Sequence, residues 1–137
     1  MFLEAGINPN TKIEYGVLHM AVSRDQLAIV RLLLDIGVDP NVRDEFGQTP
    51  LVYLGSDSPE MVSLLLSAGT DPNFKDIWNR TPLHRFVLYP YFKAAKLLLL
   101  AGADPNVKNK DEETPLDIAK NYGDKKMIRL LLYYGAE

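Results

Sequence analysis

The sequence predicts an all-α fold, a solenoid of stacked helix–turn–helix units joined by short hairpin loops. Two motifs that keep a single period predict it. Thr-Pro-Leu stands at 49–51, 81–83 and 114–116, with a degenerate copy at Gly16-Val17-Leu18, so its leucines recur at intervals of 33, 32 and 33 residues. Gly-x-Asx-Pro-Asn interleaves with it at Gly6–Asn10, Gly37–Asn41, Gly69–Asn73 and Gly102–Asn106, and begins again at Gly135. The third observation is size. A unit of about 33 residues cannot bury its own apolar face, whereas stacked neighbours share a continuous core.

Each element follows from local chemistry. Thr before Pro reads as a helix start: the hydroxyl caps free N–H groups, and Pro suits the first helical position because its missing N–H is not needed there. A short first helix follows, as at Leu51 to Leu54. A second start is legible at Ser58-Pro59-Glu60, with Ser as cap and Glu favoured in the first turn. The second helix carries an apolar stripe, Ile29, Val30, Leu33 and Leu34 in one unit and Met127, Ile128, Leu131 and Leu132 in the last. Leu33, Leu65, Leu98 and Leu131 fall at equivalent places on that stripe and are expected to be buried. Glycine at 37, 69, 102 and 135 ends the helix, where a left-handed residue costs least. Four helix pairs are expected at 16–37, 49–69, 81–102 and 114–135.

This pattern closely resembles the ankyrin repeat family. The resemblance is carried by Gly47-Gln48-Thr49-Pro50-Leu51, Thr81-Pro82-Leu83-His84 and Ile29-Val30-Arg31-Leu32-Leu33-Leu34 running into Gly37. It covers nearly the whole chain and implies one ankyrin-repeat domain over 1–137. A partial repeat at 1–10 precedes repeats at about 11–43, 44–75, 76–108 and 109–137. Residues 1–6 read as the tail of a preceding second helix. The two ends of the array are expected to be its least stable parts.

Departures from the pattern carry expectations too. The third position after the motif leucine is Ala21 and Ala119 in the outer units but Leu54 and Phe86 in the inner ones, which predicts different packing there. The second unit is one residue short between its helices, and the first hairpin is two residues shorter than the second. The loop glycine Gly47 becomes Asn79 and then Glu112. Asn tolerates positive φ and Glu does so poorly, so the last hairpin is expected to deviate.

The chain of 137 residues is 47% hydrophobic and 24% charged, a foldable composition. Its net charge of −3 argues against nucleic acid, whose binding draws on a basic surplus. With no cysteine there is no disulfide, thiolate nucleophile or cysteine zinc site. No stretch near Met1 has the basic-then-apolar pattern of a secretory signal, and no apolar run is long enough to span a bilayer. A cytoplasmic, monomeric protein without cofactor or metal is expected.

Candidate chemistry is sparse. His19 and His84 both occupy the fourth motif position, where the resemblance implies a hydrogen bond to backbone between repeats. Asp111-Glu112-Glu113 lacks the alternating spacing of a calcium loop and reads as a solvated hairpin tip. Gly55-Ser56-Asp57-Ser58 reads as an inter-helix loop. Lys125, Lys126 and Arg129 form a small basic spot, read as cations near the end of a helix and so favourable to its dipole. The resemblance marks Asn41, Asn73 and Asn106 as positions of asparagine hydroxylation in some ankyrin proteins, although turn geometry accounts for them equally.

The resemblance implies a non-catalytic module that binds a protein partner through hairpin tips and the concave first-helix face. The register assigns to that face Tyr15, Phe46, Ile77, Trp78, Arg80, Leu88, Tyr89 and Tyr122, with Trp78 at the centre because hot spots favour Trp, Tyr and Arg. An adaptor, an inhibitor that covers a partner enzyme, and a fragment of a larger protein are all compatible with these residues.

Overall fold

Each Thr-Pro step begins a helix where the motif places it. The computed structural model describes residues 14–137, and side chains from Gly16 onward. The expected helix tail at 1–6, the shortened first hairpin and the tip residues Lys12 and Ile13 lie outside the described residues, as does the side chain of Tyr15. The helices are α1 (Glu14–Ser23), α2 (Leu27–Asp35), the 3-10 helix η1 (Pro50–Tyr53), α3 (Pro59–Ser67), α4 (Pro82–Leu88), α5 (Phe92–Leu100), α6 (Pro115–Asn121) and α7 (Lys125–Tyr133). Among the described residues there is no strand. The fold class is all-α, built of helix–turn–helix repeats.

The chain falls into two compact units, one ending at Thr70 and one spanning Asp71–Glu137. In the first, α1 packs on α2 and on η1; in the second, α4 packs on α5 and α6, and α6 on α7. First helices therefore pack on first helices within each unit. The second-helix leucines supply the core: Leu65, Leu98 and Leu131 are fully buried and Leu33 nearly so. The inner-unit Leu54 and Phe86 are buried in the place of the outer alanines. All four expected C-terminal glycines have positive φ, between 96° and 102°.

The missing residue of the second unit is found between its helices. Leu51 to Pro59 is eight positions, where Leu83 to Phe92 is nine. The first helix there is reduced to four residues of 3-10 geometry. Gly55 in the following turn lies against α1: a Cβ on it would stand 2.1 Å from the carbonyl oxygen of Ser23, so no larger residue fits without backbone movement. Ser56 Oγ donates to Asp25 Oδ2 at 2.8 Å in the same turn, and Ser58 Oγ accepts from Met61 N–H as the cap of α3.

The last hairpin does not deviate, contrary to expectation. Glu112 has φ 63°, beside 58° at Asn79 and 73° at Gly47. All three loops make the same bonds. Asp44, Asp76 and Asn109 each donate N–H to the residue four positions on, Gln48, Arg80 and Glu113, at 3.0 Å. The Oδ1 of each accepts two further backbone N–H groups at 2.8–3.0 Å. Three bonds outweigh the cost of a left-handed glutamate, which is about 1–2 kcal/mol. The organising residue is the Asx that opens the loop.

Candidate functional site

Helix starts set the walls of the site. In the second compact unit His84 Nε2 lies 2.9 Å from the carbonyl oxygen of Glu113, while Nδ1 accepts the Thr81 N–H at 3.0 Å and lies 2.9 Å from Thr81 Oγ1. A neutral ring protonated on Nε2 satisfies this arrangement. Burial holds its pKa below the ordinary 6.5, against the opposing pull of the Glu113 carbonyl and the Asp76 charge. In α6 the fourth position is Asp117, whose Oδ2 accepts the Thr114 N–H at 2.9 Å while Thr114 Oγ1 accepts the Asp117 N–H at 3.2 Å. The Thr114 N–H holds that carboxyl below the usual carboxylate range. In the first unit His19 Nε2 lies 2.8 Å from the Gln48 carbonyl oxygen. Both imidazoles thus join consecutive repeats through backbone, as the resemblance implies.

The loop asparagines have an equivalent structural part. The Nδ2 of Asn41, Asn73 and Asn106 donates to the carbonyl oxygen of Gly69, Gly102 and Gly135, at 2.9, 3.1 and 3.1 Å. The Oδ1 of Asn73 and Asn106 accepts the N–H of Asp104 and Glu137. Each amide ties one loop to the next.

Between α4 and α6 these contacts leave an open cleft of about 290 Å³, whose walls include Arg80, Arg85, Leu88, Asp111, Glu113 and Tyr122. The Arg80 guanidinium lies 4.6 Å over the Trp78 ring and bonds Asp76 at 2.8 Å; the Arg85 guanidinium lies 5.3 Å over the Tyr89 ring. The cleft is thus flanked by two arginine–aromatic pairs. Of the residues that the sequence assigns to the binding face, Arg80, Leu88 and Tyr122 line it. Trp78 and Tyr89 do not, and reach it through their arginines. Ile77 is exposed on the same hairpin tip as Trp78, which is 40% exposed. Lys110 N–H bonds the Trp78 carbonyl at 3.0 Å, so one hairpin braces the next. Phe46 is exposed in the first unit and is not part of this cleft.

Sequence reasoning missed Arg85. It lines the cleft, with its guanidinium over the Tyr89 ring and its Nε buried without a hydrogen-bond partner. The signal available was its place one residue past the motif histidine, one helical turn before Tyr89. The first unit has its own cleft of about 440 Å³, lined by His19, Met20, Arg24, Asp44 and Tyr53 among others. There Tyr53 Oη sits between Asp44 and Gln48, and the His19 and Tyr53 rings meet edge to face with centroids 5.2 Å apart.

The basic spot corrects an expectation. Lys125 and Lys126 are the first two residues of α7, not its last. Cations at a helix N-terminus oppose its dipole, at about 0.3–1 kcal/mol each. The Asp124 carboxylate, which accepts the Met127 N–H at 3.1 Å, offsets this in part.

Among the described residues no cluster of three or more His, Asp or Glu is placed to hold a metal ion, and no helix is long and apolar enough to cross a membrane. The ankyrin repeat model matches this chain in three overlapping copies, at residues 1–76, 18–109 and 52–137. The chain belongs to the ankyrin repeat family. Ankyrin repeats are generally non-enzymatic modules of protein–protein interaction. An ankyrin repeat protein of fowlpox virus is 44% identical over 52 residues, 36% of this chain and 7% of that protein. An ankyrin repeat-containing protein of Schizosaccharomyces pombe is 41% identical over 51 residues, 36% of this chain and 25% of its own length. One from Pyrobaculum aerophilum is 41% identical over 49 residues, 36% of this chain and 18% of its own. The matched stretch thus spans a quarter or less of each of these ankyrin relatives.

Proposed function

We propose that this ankyrin chain binds a protein partner through its hairpin tips and first-helix face, and carries out no chemistry of its own. The observation that carries the reading is the α4–α6 cleft with its two arginine–aromatic pairs. Arg85 brings a guanidinium to the cleft wall, so a partner carboxylate or carbonyl seated beside it gains a charge-assisted hydrogen bond. Tyr122, 69% exposed, and Leu88 offer apolar surface beside it. Trp78 and Tyr89 hold the two guanidinium planes in place, which lowers the entropy lost on docking. The partner is a protein rather than nucleic acid or membrane, since the chain is acidic overall. The protein is proposed to act as a monomer in the cytoplasm.

Affinity capture from the source organism identifies the partner. Trp78→Ala, Arg85→Ala and Tyr122→Ala are then compared for melting temperature and for affinity. Each is expected to leave melting nearly unchanged and to weaken binding by about 2 kcal/mol. Unaltered affinity in all three would remove the cleft from the interface. A collapse of melting for Trp78→Ala would make that residue part of the scaffold.

A further inference from the structure

The second helices of the Asp71–Glu137 unit carry a surface that the reading above does not use. Phe92 and Lys96 of α5 and Lys126, Arg129, Leu130 and Tyr133 of α7 line an open cleft of about 410 Å³, together with Tyr134. It shares no lining residue with the cleft between the first helices. Three cations line it and no carboxylate does. Lys126 Nζ lies 4.1 Å over the Phe92 ring, and the Tyr133 and Tyr134 rings meet edge to face at 5.1 Å. Lys96, Lys126 and Arg129 are exposed, and Tyr133 is 83% exposed.

The corresponding surface of the first unit differs. Between α2 and α3, Arg31 stands at the register position of Lys96, but Glu60 and Ser63 stand at those of Lys126 and Arg129. The repeat scaffold therefore does not require an all-cationic cleft between second helices. Nor does helix stability favour it, because Lys126 stands at the N-terminal end of α7, where the dipole repels it. A chain of net charge −3 concentrates positive charge here and walls it with aromatic rings.

We propose that the α5–α7 cleft is a second docking site, for an acidic segment of a protein partner that also carries an aromatic or large apolar side chain. Carboxylates of the segment pair with Lys96, Lys126 and Arg129. Its apolar side chain packs on Phe92, Leu130 and Tyr133. The size of the cleft suits a few residues of peptide. A nucleic acid tracks a longer basic path, and the acidic surface elsewhere on the chain opposes it. The proposal does not rest on the first-helix cleft.

The test selects a displayed random dodecapeptide library against the full chain at low salt, with counter-selection against the chain carrying Lys126→Glu and Arg129→Glu. The surviving peptides are expected to be enriched in Asp and Glu around a Phe, Trp or Leu. They should bind the native chain at least about tenfold more tightly than the charge-reversed one, lose affinity as salt rises, and bind Trp78→Ala undiminished. Circular dichroism checks that the variants fold; if charge reversal unfolds the chain, Lys96→Gln with Arg129→Gln takes its place. Absence of acidic enrichment overturns the proposal, as does equal affinity for the folded variant. It is also overturned if single-stranded RNA or phosphatidylserine vesicles bind the native chain, and not the variant, more tightly than any selected peptide.

Discussion

Thr49-Pro50-Leu51-Val52 in the first compact unit and Thr81-Pro82-Leu83-His84 in the second share three residues and open different helices. After Thr81 come seven residues of α-helix; after Thr49 come four of 3-10 helix. The fourth residue is the visible difference. His84 accepts the Thr81 N–H and lies against its hydroxyl, and Asp117 does the same office for the Thr114 N–H in α6. Val52 offers no acceptor, and Thr49 Oγ1 is buried without a partner. The unit also lacks one residue before α3. A Thr-Pro step thus starts a helix in either setting, but a polar fourth residue completes the cap.

The largest effects should be the same in both units, since each rests on the same leucine stripe. Leu65→Ala and Leu98→Ala, both fully buried, are each expected to cost about 2–5 kcal/mol in denaturant unfolding. A loss below about 1 kcal/mol in either would break the equivalence of the two stripes.

His84→Ala comes next. It removes the bond to Glu113 and strands the buried Thr81 N–H, at about 1–3 kcal/mol. The same residue gives a pH signature. Its folded pKa lies below 6.5, so the unfolded chain takes up a proton there that the native chain does not. The stability contribution is complete above pH 6.5 and is lost as pH falls through the folded pKa. Melting temperature should therefore drop on acidification from neutrality, and His84→Gln should flatten that drop. An unchanged slope in the variant would assign the acid sensitivity elsewhere.

Val52→Asp tests the comparison directly. It places a carboxylate where α6 has Asp117 and gives Thr49 an acceptor, with a gain of about 1 kcal/mol expected. No gain would place the cause of the short helix in the missing residue instead. The smallest effect concerns the hairpins. Glu112→Gly should stabilise by about 0.5 kcal/mol, left-handed strain being partly offset by the added chain entropy of glycine. A loss of stability would show that the glutamate side chain contributes to the loop.

Much of the fold is legible because its signals are local and recur. Ser58 before Pro59, and Gly37, Gly69, Gly102 and Gly135, mark helix ends through backbone chemistry that needs no neighbour, and the structure places each as expected. Local rules failed where two repeats or two ends of a loop decide the outcome. The φ preference of Glu112 by itself predicts a distorted hairpin, but the Asn109 side chain holds the loop in register. Lys125 and Lys126 stand at the start of α7 and not at its end, since the boundary depends on Asp124 capping α7.

By itself the sequence determined the repeat, the order of its helices, the leucines at its centre and the family, because each follows from period and from backbone preferences within a few residues. It also placed Arg80, Leu88 and Tyr122 on one face. Tertiary structure alone decided which of the assigned aromatics enter a cleft and which only hold an arginine, as Trp78 and Tyr89 do. It alone brought Arg85 into the cleft wall, and set Lys96 of α5 opposite Lys126 and Arg129 of α7. Those juxtapositions join residues some 30 positions apart, and only the packing of one helix on another sets the distance between them.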